Sequence, residues 1–87
     1  MEIRDYAIDC RRLTDKAAAH AYLKTVFAFP DYYGGNLDAL YDCLWELPPC
    51  RIWMTHPWAL AQLGDYGPKL LQTFIDAAAD RTDLQLM

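Results

Sequence analysis

Five prolines divide this 87-residue chain, and each lies where a helix must end or can begin. Pro30 ends a first helix, because the residue before a proline avoids helical backbone angles. Pro48 and Pro49 end a second helix. Pro57 and Pro68 suit first helical positions, where the missing backbone N–H costs nothing. The chain is therefore expected to form about four short helices.

Capping residues refine the helix boundaries. Thr14 or Asp15 can cap the first helix, which is expected to run through an alanine-rich stretch to about Phe27. Asn36 is a good cap for the second, after a glycine-containing loop. The later helices are predicted at Leu37 to about Trp45, His56–Pro57 to about Leu63, and about Pro68 to Ala79.

Three short apolar segments alternate with these helices and are predicted to be strands: Glu2 to Ile8, Arg51 to Met54, and Asp83 to Met87. Strands separated by helices form parallel pairs with crossover connections. The predicted fold class is therefore α/β, with a three-stranded parallel sheet and about four helices. Residues 1–87 are too few for a second core, so one domain is expected.

The negative charge is concentrated in one part of the chain. The net charge is −4, and residues 25–50 hold four acidic side chains and no lysine or arginine. Such a field repels nucleic acid and anionic lipid and favours a cationic partner. The apolar runs are far shorter than the roughly 18 residues of a membrane helix, and the N-terminus lacks an apolar signal-peptide segment. We therefore expect a cytoplasmic protein that binds neither membranes nor nucleic acid.

The cysteines do not indicate a disulfide framework. Cys10, Cys43 and Cys50 are odd in number and have no CxxC spacing. This pattern suits buried thiols in a reducing compartment better than disulfides or a zinc site. We expect no metal and no cofactor.

The second predicted helix has an acidic face. At about 100° per residue, Leu37, Leu40 and Leu44 share the core face. Three carboxylates form a separate stripe, and two aromatic residues lie between the stripe and the core. These residues are Asp38, Asp42 and Glu46 in the stripe, and Tyr41 and Trp45 beside it.

This stripe has two interpretations. Like charges four residues apart destabilise a helix by a few tenths of a kcal/mol per pair, and most such stripes are solvated helix surfaces. Here the stripe adjoins residue types that are frequent at interface hot spots, and it follows Tyr32 and Tyr33, which could otherwise pack on the core. We interpret the segment Thr25–Cys50 as a docking surface for a partner protein.

Residues Phe29–Leu44 form a sixteen-residue stretch, FPDYYGGNLDALYDCL. This stretch resembles the barstar family of intracellular inhibitors of secreted ribonucleases, and Gln72–Ala77 is similar to the last helix of that family. The resemblance implies that Asp42 replaces the substrate phosphate in a nuclease active site, and that Tyr32 stacks over the catalytic histidine. It implies a basic, extracellular ribonuclease as the partner. The other contacts that the resemblance implies are Gly34, Asn36, Leu37, Asp38 and Asp76. Tyr33, Tyr41 and Trp45 are expected contacts because of their residue type and their position beside the stripe.

Three positions differ from the family pattern. Tyr41 stands where barstar has tryptophan, Gly35 where it has glutamate, and Asp76 where it has the longer glutamate. All three lie at or beside the expected interface, so the resemblance does not identify the nuclease.

Two other functions fit parts of the sequence. Asp38 and Asp42 could act as an acid–base pair or bind a divalent cation, but an exposed helix surface offers no cleft. His20 and His56 have no serine or cysteine at a recognisable spacing. A non-inhibitory module that binds another basic protein is the stronger alternative. We expect a protein that is not an enzyme and is a monomer when free.

Overall fold

The computed structural model describes residues 3–87 and contains one parallel sheet. In it β1 (Arg4–Asp9) pairs with β2 (Cys50–Thr55), which pairs on its other side with β3 (Leu84–Leu86). Glu2, predicted as the start of the first strand, lies outside the described residues. The parallel three-stranded sheet is confirmed, and its strand order is β1-β2-β3.

Three α-helices form most of the crossovers between these strands. α1 (Lys16–Phe27) and α2 (Leu37–Trp45) lie between β1 and β2 in the chain, and α3 (Tyr66–Asp80) lies between β2 and β3. A 3₁₀ helix, Pro57–Leu63, precedes α3, and a shorter 3₁₀ turn, Cys10–Arg12, follows β1. The predicted α/β fold is confirmed.

The predicted N-caps of the first two helices are present. The Asp15 carboxylate, and not Thr14, accepts the Ala18 N–H at 2.8 Å. The Asn36 side-chain oxygen accepts the Ala39 N–H at 2.8 Å. These bonds satisfy N–H groups that have no acceptor within their own helix, which fixes where α1 and α2 begin.

Two helices differ in detail from the sequence prediction. The third is a 3₁₀ helix, a tighter form used for short connections. α3 begins at Tyr66, two residues before Pro68. Pro68 loses no hydrogen bond there, because the first four N–H groups of a helix have no intrahelical acceptor. Position 67 of α3 favours glycine, because a Cβ there would approach the Leu60 carbonyl oxygen to 2.5 Å.

Burial alternates along the strands, so helices cover one face of the sheet. On β2, Cys50 and Ile52 are fully buried, whereas Trp53 is 43% exposed. Cys10 is also buried and Cys43 is partly buried, and all three thiols are free. No helix within residues 3–87 is both long enough and apolar enough to cross a bilayer.

Candidate protein-docking site

α2 presents the acidic stripe that the sequence predicts. Leu40 and Leu44 are fully buried, while Asp38, Asp42 and Glu46 are exposed. Residues four apart lie on the same side of a helix, so the three carboxylates form one row. The division of this helix into a buried face and an acidic face is confirmed.

α3 packs beside α2 and contributes two further carboxylates next to the α2 row. The Tyr41 hydroxyl donates a hydrogen bond to the Asp80 carboxylate, and this bond raises the pKa of Tyr41. Asp76, one turn before Asp80, accepts a hydrogen bond from the Gln72 amide at 2.8 Å. We call the five exposed carboxylates the acidic surface: Asp38, Asp42, Glu46, Asp76 and Asp80.

The charge of the acidic surface is not neutralised by neighbouring side chains. None of the ion pairs within residues 3–87 includes any of its five members. Positive charge begins at its edge, where Lys16 and Lys69 line a hollow of about 360 Å³ together with Asp38. The surface is therefore suited to a cationic partner.

The loop before α2, residues 31–35, forms the other border of the site, and we call it the tyrosine loop. Tyr32 is 80% exposed. Tyr33 is half-buried, with its ring centroid 4.9 Å from that of Phe29. Tyr32 lines a hollow of about 270 Å³ together with Asp42 and Glu46. The structure thus brings an exposed aromatic ring next to the middle of the acidic surface.

His20 is the buried residue beneath this loop. Its Nδ1 atom lies 2.6 Å from the Tyr33 hydroxyl, and its Nε2 atom lies 2.6 Å from the Tyr66 hydroxyl. Burial lowers the pKa of His20, and the positive charge of Lys16 lowers it further. In the sequence, this histidine stands out only as a possible catalytic group. Its partners lie 13 and 46 residues away, so no local pattern could reveal them.

Arg81 is a second residue that the sequence analysis missed. Its Nη1 atom donates to the carbonyl oxygens of Leu44 and Trp45 at 2.9 and 3.3 Å, at the C-terminal end of α2. Its Nε atom donates to Asp83 at 2.9 Å. The buried guanidinium thus supplies a positive charge where the dipole of α2 is negative, close to Glu46.

The histidines and metal-binding side chain types within residues 3–87 are not gathered at one site. Within residues 3–87, no three His, Cys, Asp or Glu side chains lie close enough together to hold a metal ion. Both ring nitrogens of His20 are occupied by tyrosines, and the Nδ1 atom of His56 lies 3.4 Å from Asp9, away from α2. The carboxylates of the acidic surface are exposed, which suits them to contact with a partner protein.

Comparison with known proteins identifies the family. The family model described as "Barstar (barnase inhibitor)" matches residues 3–86. The chain belongs to the barstar family. A protein of Bacillus subtilis (strain 168) named "Putative ribonuclease inhibitor YrdF" is 36% identical over 84 residues, which cover 93% of this chain and 92% of the relative.

In the structure, the residues predicted to contact a partner lie in different environments. Two are engaged in supporting the site: the Asn36 side chain caps α2, and the Tyr33 hydroxyl points to His20. Leu37 and Tyr41 are half-buried between the surface and the core. The remaining predicted contacts are exposed, and they are Tyr32, Gly34, Asp38, Asp42, Trp45 and Asp76.

Asp80 belongs to the acidic surface but is not among the contact residues predicted from the sequence. It lies four residues after Asp76 on α3, and that spacing was a usable signal for a shared helix side. Its contact with Tyr41 depends on how α3 packs against α2.

Proposed function

We propose that this barstar-family protein inhibits a ribonuclease by docking the acidic surface and the tyrosine loop into the active site of the enzyme. The observation that carries the proposal is the row of five exposed carboxylates on two adjacent helices, unpaired within residues 3–87. An enzyme that binds the anionic backbone of RNA presents cationic groups, which this row complements. The family description and the name of the relative support the choice of enzyme class.

Asp42 is the proposed anchor of the complex. It occupies the middle of the α2 row, with Asp38 one turn before it and Glu46 one turn after it. A carboxylate accepts charge-assisted hydrogen bonds from arginine, lysine and protonated histidine, as a phosphate does. Asp42 can therefore take the place of the substrate phosphate.

Tyr32 is the proposed aromatic contact. Its ring is 80% exposed and borders the hollow that contains Asp42. Docking of an exposed tyrosine buries a large apolar area together with a polar hydroxyl, and this explains why tyrosine is frequent at hot spots. A ring at this position can stack on a histidine beside the phosphate site.

The proposed partner is a basic, secreted ribonuclease. The inhibitor acts in the cytoplasm as a monomer, and it catalyses no reaction. Opposite charges accelerate the encounter of the two proteins, since a charged surface attracts a partner of opposite sign over about a Debye length.

The test is inhibition of RNA cleavage by a panel of small basic ribonucleases secreted by bacteria. The protein is expected to block at least one of them in a one-to-one complex, with inhibition competitive with RNA. Asp42→Asn, which removes the charge and keeps the shape, should weaken binding by about 30-fold or more, the scale of a hot spot. Asp65→Asn is the matched control, because Asp65 is exposed and its side chain caps no helix.

Two outcomes would contradict the proposal. Binding without loss of RNA cleavage would identify a non-inhibitory interaction module on the same fold. No binding to any nuclease of the panel would reject ribonuclease inhibition.

A further inference from the structure

His20 joins three parts of the chain that surround the docking site. It belongs to α1 and is only 4% exposed. Tyr33, bonded to Nδ1, lies in the tyrosine loop, and Tyr66, bonded to Nε2, is the first residue of α3. A single imidazole ring therefore connects the loop to two helices.

The two hydrogen bonds are compatible with a neutral imidazole. A neutral ring has one N–H donor and one nitrogen acceptor, and a tyrosine hydroxyl can serve either role. One tyrosine therefore donates to the ring and the other accepts from it. Because burial and Lys16 lower the pKa of His20, the ring stays neutral at physiological pH, with both nitrogens satisfied.

The tyrosine loop is folded over this ring. The Tyr33 N–H donates to the Pro30 carbonyl at 3.0 Å, which closes a turn. Gly35 has a φ of +66°, a conformation that favours glycine, and a Cβ there would lie 3.8 Å from the Cβ of His20. Tyr33 is thus held inward, and its neighbour Tyr32 is directed outward into the hollow shared with Asp42.

We infer that His20 is a positioning residue for partner docking: by holding the Tyr33 hydroxyl, it fixes the tyrosine loop so that Tyr32 stands beside Asp42. His20 itself is buried and touches no partner. The inference rests on the proposed function, and it adds a residue that acts through the loop. A loop held in its bound conformation loses less entropy on binding, so the gain in affinity comes through Tyr32.

The test is a double-mutant cycle between Tyr32 and the support of the loop. Tyr33→Phe removes the hydroxyl bond to His20 and keeps the ring packed on Phe29. Tyr66→Phe removes the second bond of His20 without touching the loop. Tyr22→Phe is the matched control, since the Tyr22 hydroxyl accepts the Asp9 N–H at 2.9 Å, at the end of β1.

Affinity for an inhibited ribonuclease is measured for each variant with and without Tyr32→Ala. The loss of affinity caused by Tyr32→Ala should be at least about threefold smaller in the Tyr33→Phe background, because Tyr32 is no longer held in place. Tyr66→Phe should reduce this loss in the same direction. Tyr22→Phe should leave it unchanged, and Asp42→Asn should weaken binding equally in every background. Independent, multiplicative effects of Tyr32→Ala and Tyr33→Phe would overturn the inference.

A second measurement needs no partner. Amide hydrogen exchange in the free protein should accelerate at residues 33–35 in Tyr33→Phe and Tyr66→Phe, and remain unchanged there in Tyr22→Phe. Equal loop exchange in all three variants would overturn the positioning role. If the wild-type protein binds no ribonuclease, the proposed function fails, and the exchange result still decides whether His20 orders the loop.

Discussion

Tyr32 and Tyr33 are neighbours in the chain but lie in opposite environments. Tyr32 is 80% exposed, while the Tyr33 hydroxyl is 2.6 Å from a ring nitrogen of His20. Burial raises the pKa of Tyr33, so its hydroxyl remains protonated and available for this bond. In the proposed complex, the contact made by Tyr32 therefore depends on the burial of Tyr33.

The stability of the protein should decrease as the pH is lowered from about 7.5 to about 5.5, around the usual histidine pKa of about 6.5. Burial, with a smaller contribution from Lys16, lowers the pKa of His20 from its ordinary value of 6.5. Below that pH the unfolded chain therefore binds more protons than the folded protein, and protonation favours unfolding. Urea unfolding at several pH values measures the effect.

The variant His20→Gln isolates this contribution, because it removes the titrating ring. The pH dependence of the unfolding free energy should become flatter over the same range. Asp9, whose pKa Arg11 lowers from 3.8 to about 2, titrates at lower pH and does not interfere. An unchanged slope in His20→Gln would assign the pH dependence to other groups.

α2 is stabilised at both ends by side chains outside it. Asn36 caps the N-terminus from the preceding loop, and Arg81 binds the last carbonyl groups from beyond α3. Three like charges on one face oppose helix formation, and Glu46 stands at the unfavourable end of the dipole. The guanidinium of Arg81, bound to the last carbonyl groups of α2, offsets part of this cost.

Arg81→Met should lower the free energy of unfolding by about 2–3 kcal/mol, because hydrogen bonds from a buried charged donor are lost and carbonyl groups of α2 are left without a partner. Methionine keeps the length and apolar volume of the side chain. Urea unfolding monitored by circular dichroism gives the value.

The matched control is Arg51→Met. The Arg51 Nε atom lies 2.7 Å from an Asp5 carboxylate oxygen. This ion pair lies on an exposed part of the sheet, where water screens it. Its effect on stability should be clearly smaller than that of Arg81→Met. Equal effects would show that Arg81 contributes no more than a surface ion pair.

The whole molecule has one strongly charged region. Residues 25–50 carry the net excess of negative charge, and the fold adds Asp76 and Asp80 beside them. Lys16 and Lys69 line a hollow at the rim of the site together with Asp38. The charge of the molecule is therefore distributed asymmetrically, with the negative charge concentrated around α2. Such a distribution is suited to steering a basic partner onto α2.

The rate of association with an inhibited ribonuclease should fall by tenfold or more between about 0.02 and 0.5 M salt, because the Debye length shortens and steering is lost. The dissociation rate should change much less, since close contacts exclude salt. Stopped-flow fluorescence measures both rates. Equal changes in the two rates would argue against steering by the acidic surface.

Features that depend on nearby residues could be predicted from the amino-acid sequence alone. The α/β fold class, the capping of α2 by Asn36 and the separation of Leu40 from Asp42 follow from capping chemistry and helical spacing over a few residues. Contacts between distant residues became known only from the folded structure. Arg81 reaches Leu44 across 37 positions and His20 reaches Tyr66 across 46, while Asp80 joins the acidic surface through Tyr41. Such contacts are set by how the helices pack on the sheet, and no local period in the sequence encodes them.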